Sequence, residues 1–168
     1  MTSVNDLVRA WPRSAALESA EPDPLREVDA LQESQLLDSR VCQLTSTAAL
    51  LFELRTSLQF EVGNAALLVV RGLHSFGWSS PAVRGPLTAL TVVSSVPDRL
   101  RNSFRARFAF FPDAQLEVVG DLAEFHVLAV EGMGDVPPDY SDADLEHVQE
   151  ALPSWSSACS PLQASRSH

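Results

Sequence analysis

The chain reads as a mainly β protein of the α+β class: an antiparallel sheet curling into a sandwich or half-barrel, with short helices at both ends. Three observations predict this. Residues 50–61 alternate, with Leu50, Phe52, Leu54, Leu58 and Phe60 on one face and Glu53, Arg55, Gln59 and Glu61 on the other. Residues 104–110 do the same, Phe104, Ala106, Phe108 and Phe110 against Arg105 and Arg107. A period of two marks a strand with one wet face. Residues 65–73, in contrast, are apolar on both faces, as in a central strand covered on both sides.

The elements follow in order. Val4, Leu7, Val8 and Trp11 have helical spacing, Ser3 and Asp6 form a cap pair, and Pro12 stops a first helix. Residues 13–22 read as a loop. Asp23-Pro24 is a helix start, and Leu25, Val28, Leu31 and Leu36 supply a stripe for a second helix to residue 37. A strand is expected over 40–47, then the alternating strand 50–61, a two-residue hairpin at Gly63-Asn64 and the apolar strand 65–73. Gly72 and Gly77 suggest a bulge or bend before Trp78. After a loop over 79–86, the β-branched run 87–96 is a strand, and Pro97-Asp98, Pro112-Asp113 and Gly120-Asp121 read as turns of a meander ending at residue 130. Ser141 to Asp144 caps a last helix, with Leu145, Val148 and Leu152 on one face and Pro153 as its stop. The chain is read as a single domain, residues 1–168, with a β core over 38–130 and a loose Ser-rich tail over 153–168.

Composition bounds the function. The 168 residues are 45% hydrophobic and 20% charged, a globular balance. The net charge is −10, which argues against nucleic acid, whose phosphates need a basic footprint, and is compatible with a basic protein partner. All twelve cationic residues are Arg and none is Lys, a bias that fits GC-rich coding and carries no chemistry of its own. Cys42 and Cys159 match no metal or redox spacing, the N-terminal stretch lacks the apolar run of a signal peptide, and no apolar run is long enough to span a bilayer. The expectation is a cytoplasmic protein with reduced thiols, no membrane association, no cofactor and no metal; oligomeric state is left open.

The stretches LLDSRVCQL, LLFELRTSLQF, VVRGLHSFGWSS, FFPDAQLEVV and AEFHVLAVEGMGDVPPDY, between about Leu37 and Tyr140, resemble a family of small uncharacterised actinobacterial proteins. That family has no settled activity, so the resemblance transfers no functional residue. Small acidic β-rich proteins of this size also resemble immunity proteins that neutralise a toxin.

Three clusters are candidates for function. On the outer face of the meander, Phe110 is expected to meet Leu116, Val118 to meet Ala123, and Glu117 to lie opposite Glu124, with His126 on the same face and Arg107 diagonal to Glu117. Two carboxylates beside a His are the raw material of acid–base catalysis. The plainer reading is a solvated lattice of Glu and Arg, in which Glu124→Gln costs less than about 1 kcal/mol. Arg71, His74, Phe76 and Trp78 are the second cluster, residue types that anchor interfaces; the alternative is that the aromatics close the core and Arg71 pairs with a carboxylate such as Glu53. The third is the acidic run from Glu131 to Glu150, where Asp139, Asp142, Asp144 and Glu146 offer a dock for a basic partner or simply a solvated helix. The four His have no metal-ligand spacing, and no nucleophile or phosphate-loop motif occurs. The leading reading is a non-enzymatic cytoplasmic interaction protein of the immunity or antitoxin kind, binding through an acidic or aromatic surface. Its rivals are a small-molecule module with a pocket between sheet and helix, and a hydrolase built on Glu117, Glu124 and His126. A deep pocket with convergent polar groups favours the rivals; a flat acidic face favours the first.

Overall fold

The computed structural model describes residues 2–11, 17–81, 87–141 and 144–167. It is mainly β: one antiparallel seven-stranded sheet with two short helices. Helix α1 (Val4–Arg9) is followed by β1 (Gln35–Cys42), β2 (Thr47–Glu53), β3 (Ala65–Ser79), β4 (Leu90–Leu100), β5 (Ser103–Phe111), β6 (Ala114–Val130), helix α2 (Leu145–Glu150) and β7 (Cys159–Arg166). The spatial order is β3-β2-β1-β4-β5-β6-β7, and β3 also pairs with β6. Six strands therefore form a ring, partly closed, and β7 extends the sheet from the second half of β6. The seam is β1 against β4, joined only through Gln35↔Thr91 and Leu36↔Leu90.

Inside the ring the alternating residues do what their period requires. Leu50, Phe52, Leu68, Phe104, Phe108, Phe110, Leu116 and Phe125 are buried in one cluster. Arg105 and Arg107 lie outside and share Asp98. The outer face is also covered, along β2, β3 and the end of β6: α1 and Trp155 lie over Ala49, Leu51, Leu67, Val69 and Leu128 in a second cluster. All seven residues of β2 are buried for this reason, so it is no one-sided strand, and it ends at Glu53 instead of running to residue 61.

Several expected elements are corrected. The helix over 24–37 does not form, although it starts as read, with Leu25 N–H donating to Asp23 Oδ1 and Glu27 N–H to the Asp23 carbonyl. Asp29 and Glu33 then adopt φ of 60° and 71°. They do so because the segment patches the seam: Asp29 N–H donates to the Ser95 carbonyl, Ser95 N–H to Asp29 Oδ1, and Glu33 N–H to the Val92 carbonyl. Bonding an open strand edge outcompetes continuing a helix whose stripe is only moderate. The strand expected at 40–47 begins earlier, at Gln35. The hairpin at Gly63-Asn64 is instead the end of a connection from Glu53 to Ala65. Strand β4 runs through Pro97-Asp98 and turns at residues 101–102; beyond Thr91 it has no ladder with β1, so Pro97 needs no N–H on that side.

Gly120-Asp121 is not a turn either. Strand β6 runs on for 17 residues. Its inward set changes from Ala114, Leu116 and Val118 to Ala123, Phe125 and Val127, while β3 takes an extra residue, His74, as a bulge between Leu73 and Ser75. Gly120 lies at this kink because a Cβ there would meet Val70 and come within 3.0 Å of the Arg71 carbonyl oxygen. The tail is not loose: residues 159–166 form β7, paired with β6 from Glu124↔Arg166 to Val130↔Cys159. The loop assigned to 13–22 lies partly, and that at 79–86 mostly, outside the described residues. No helix among the described residues is long and apolar enough to cross a membrane.

Candidate functional site: a cleft between helix α1 and the sheet

The outer face can be built row by row from strand register. Cys42 of β1, Thr47 of β2 and Arg71 of β3 are directly opposite one another, so their side chains share a face. The next row on that face is Arg40, Ala49, Val69 and Glu124; the next is Asp38, Leu51, Leu67 and His126. Helix α1 crosses these rows. Its Val4 and Leu7 enter the apolar cluster, and Ser3 with Asp6 closes its first turn as a capping box. At the edge where the rows lose their apolar cover, a cleft of about 480 Å³ opens between Asn5, Val8 and Arg9 of the helix and Arg40, Cys42, Thr45, Thr47 and Arg71 of the sheet.

Arg71 ties the helix to this floor. Its Nε and Nη2 donate to the two oxygens of Glu124 at 2.7 and 3.1 Å, while Nη1 and Nη2 donate to the carbonyls of Val8 and Leu7 at 2.9 and 3.2 Å. Those carbonyls lie in the last turn of α1, where helical acceptors lack partners of their own. A guanidinium has five N–H groups, so one on Nη1 is left without a protein partner among the described residues. Burial by itself pushes the Glu124 carboxyl up; His126 and the hydrogen bonds and charge of Arg71 reverse this and hold it below the usual carboxylate range. Arg71 is the stronger of the two, since His126 Nε2 stands 3.8 Å from Glu124 Oε2, contact distance and not a hydrogen bond. His126 is fully buried, neither ring nitrogen has a hydrogen-bond partner among the described residues, and its ring lies 5.3 Å from that of Trp11.

Arg40 is the other fixed cation of the cleft. Its guanidinium sits 4.6 Å from the centre of the Trp155 ring and donates to Asn5 Oδ1 at 2.7 Å. Trp155 is itself oriented by an Nε1 hydrogen bond to Asp38. Among the described residues, no carboxylate oxygen comes within 4 Å of Arg40 or of the exposed Arg9. Hydrogen bonds from Thr45 hold the exposed Cys42 thiol below its ordinary value.

The catalytic trio read from the sequence is not brought together. Glu117 and Glu124 share one strand, seven residues apart, instead of facing each other across a turn. Glu117 is exposed and opposite Arg107, whereas Glu124 and His126 are buried two residues apart. Phe110 faces Ala114 and Phe108 faces Leu116, a two-residue shift from the expected register that keeps the same face inward. The residues assigned to partner binding are dispersed. Arg71 pairs with Glu124, not Glu53. His74 projects from the bulge to Asp121 at 2.7 Å, and Trp78, 44% exposed, packs on Phe110 near the end of β3. Asp139 accepts from Ser141, Asp144 caps α2, and Glu146 is exposed on that helix; Asp142 lies outside the described residues. The acidic run is not beyond the reach of Arg either, because Arg55 binds its carbonyls at Gly134 and Val136. Among the described residues no group of His, Cys, Asp and Glu is placed to hold a metal.

Sequence reasoning missed Arg9, Arg40, Cys42, Thr45 and Thr47. A signal was present: Arg40 and Cys42 are two apart on one strand, so they share a face, and Asn5 and Arg9 are four apart on one helix. Nothing in the sequence said that the helix lies on that strand.

No family model and no curated protein matches the chain. Among solved structures it is similar to an uncharacterized protein from Neisseria gonorrhoeae, with a TM-score of 0.41 and 10% identity over 56% of this chain and 90% of that one. The reading of the site rests on its own geometry.

Proposed function

We propose that the protein is a small-molecule-binding module whose ligand lies in the cleft between α1 and strands β1–β3. One observation carries this reading: a cavity of about 480 Å³ into which polar groups of four separate elements converge. That volume lies in the range of sites that enclose small organic ligands. Positioning is already provided for, because Arg71 fixes the helix and Trp155 fixes Arg40, so the donors are held before any ligand arrives. The reading competes with the acidic interaction surface expected from composition; support for the cleft is that its donors converge, whereas the acidic and aromatic residues are dispersed.

A fragment library screened by ligand-observed NMR tests it. Thr45 is exposed in the turn between β1 and β2, so Thr45→Trp fills the rim of the cleft without entering either core. Fragments that bind the wild-type chain should be lost from this variant. A screen in which every binder is retained by Thr45→Trp overturns the proposal.

A further inference from the structure

We infer that the group recognised in this cleft is an oxyanion, a carboxylate or phosphate carried on a short apolar body. The inference rests on the proposed ligand-binding role of the cleft and names the chemistry of its ligand.

The charge count decides the sign. Three arginines line the cleft, Arg9, Arg40 and Arg71, and among the described residues no Asp or Glu lines it. Glu124 neutralises Arg71, which contributes one spare N–H; among the described residues, Arg40 and Arg9 have no carboxylate oxygen within 4 Å. The chain as a whole carries −10, but beyond about 8–10 Å of salt solution that field is largely screened, and a ligand at van der Waals contact feels the local cations. A planar guanidinium suits carboxylate and phosphate oxygens because two parallel N–H groups match two oxygens. Arg40 is preorganised for this, since the Trp155 ring and Asn5 restrain its rotamers. Between the donors, the lining includes Val8, Cys42 and Thr47, and the arginines bring long hydrocarbon stems, a setting that suits a hydrocarbon body better than a second charged group.

The test uses four probes on the full chain, followed by amide chemical-shift titration: hexanoate, hexyl phosphate, 1-hexanol and inorganic phosphate. Hexanoate or hexyl phosphate should shift amides of residues 40–47 and bind about tenfold or more tightly than 1-hexanol, the size expected for one charge-assisted hydrogen bond. Whichever of the two binds more tightly distinguishes a carboxylate from a phosphate ligand. Arg40→Gln should weaken the anion about tenfold and leave 1-hexanol unchanged. If 1-hexanol binds the cleft as well as either anion, the oxyanion inference falls while the ligand-binding reading stands. If inorganic phosphate binds as tightly as hexyl phosphate, the apolar body is wrong. If no probe shifts residues 40–47 and the fragment screen finds nothing displaced by Thr45→Trp, both readings fall together.

Discussion

Arg55 and Arg71 do the same mechanical work in two regions of the outer face, and they differ in what each leaves over. Arg55 makes a bidentate pair with the fully buried Glu53 and reaches on to the carbonyls of Gly134, Val136 and Ala151, pinning the segment that carries α2. All five of its N–H groups are used, and its side chain is 5% exposed. Arg71 pairs with Glu124 and pins α1 in the same manner, but it is 23% exposed, retains an unpartnered N–H and borders a cleft. The first pair is finished structure. The second has the same structural role with capacity to spare, and the cleft lies beside the second.

The largest effect should come from the finished pair. Glu53→Gln leaves Arg55 buried without its counter-charge, a change that costs about 3–5 kcal/mol when a pair is this deeply desolvated. Urea unfolding should show the loss, and hydrogen exchange should show faster opening around residues 134–151, since Arg55 is their shared anchor. Near-wild-type stability would show that the two pairs are not distinguished by burial.

The second pair should cost less and should show a pH signature. Glu124→Gln keeps an acceptor for Arg71, whose charge reaches partial solvent, so a loss just below that range, about 2–3 kcal/mol, is expected. This replaces the cost below about 1 kcal/mol that a solvated lattice implied. The Glu124 carboxyl titrates below its usual value near 4.5 in the folded chain. A depressed acid contributes stability that is fully present above the unfolded value and is lost as pH falls through the folded one. The gap between wild type and Glu124→Gln should therefore be level from neutral pH down to about pH 5 and narrow below about pH 4. A gap that widens on acidification would show that the Arg71 pair does not govern the carboxylate.

How far the sequence carried this comparison depended on contact distance along the chain. The ring's inner residues were legible because Phe104 to Phe110 declare their face by a period of two. The outer layer was not. Glu53 and Arg55 sit on the wet side of an alternating pattern, and only the arrival of α1, Trp155 and the 131–151 segment makes that side dry. Glu117, Glu124 and His126 looked like neighbours because the phase change near Gly120 imitates a hairpin; β6 instead runs on, and the bulge at His74 lies opposite on β3. The net charge of −10 points toward basic partners, and a sum over the chain does not show the local cluster of cations that strand pairing assembles.

The smallest effect on stability, and the sharpest report on the open side of the comparison, should come from the two thiols. Cys42 is exposed in the cleft and its thiol is held below the ordinary value of 9.0 by hydrogen bonds from Thr45. Cys159 is buried beside α1 and Trp155, and burial pushes its thiol up to about 11. The thiolate is the reactive species, so iodoacetamide should modify a single Cys in the native chain, with a rate that rises toward a midpoint below pH 9.0, and should reach Cys159 only when the layer over it opens. Glu124→Gln loosens the anchor of α1, so it should speed the second reaction and leave the first nearly unchanged. Glu53→Gln should speed it only as far as its loss of global stability requires. Peptide mapping at successive times separates the two. Equal acceleration per unit of stability lost would mean that α1 and the α2 segment open together, and the distinction between a finished pair and a pair beside a cleft would then have no dynamic counterpart.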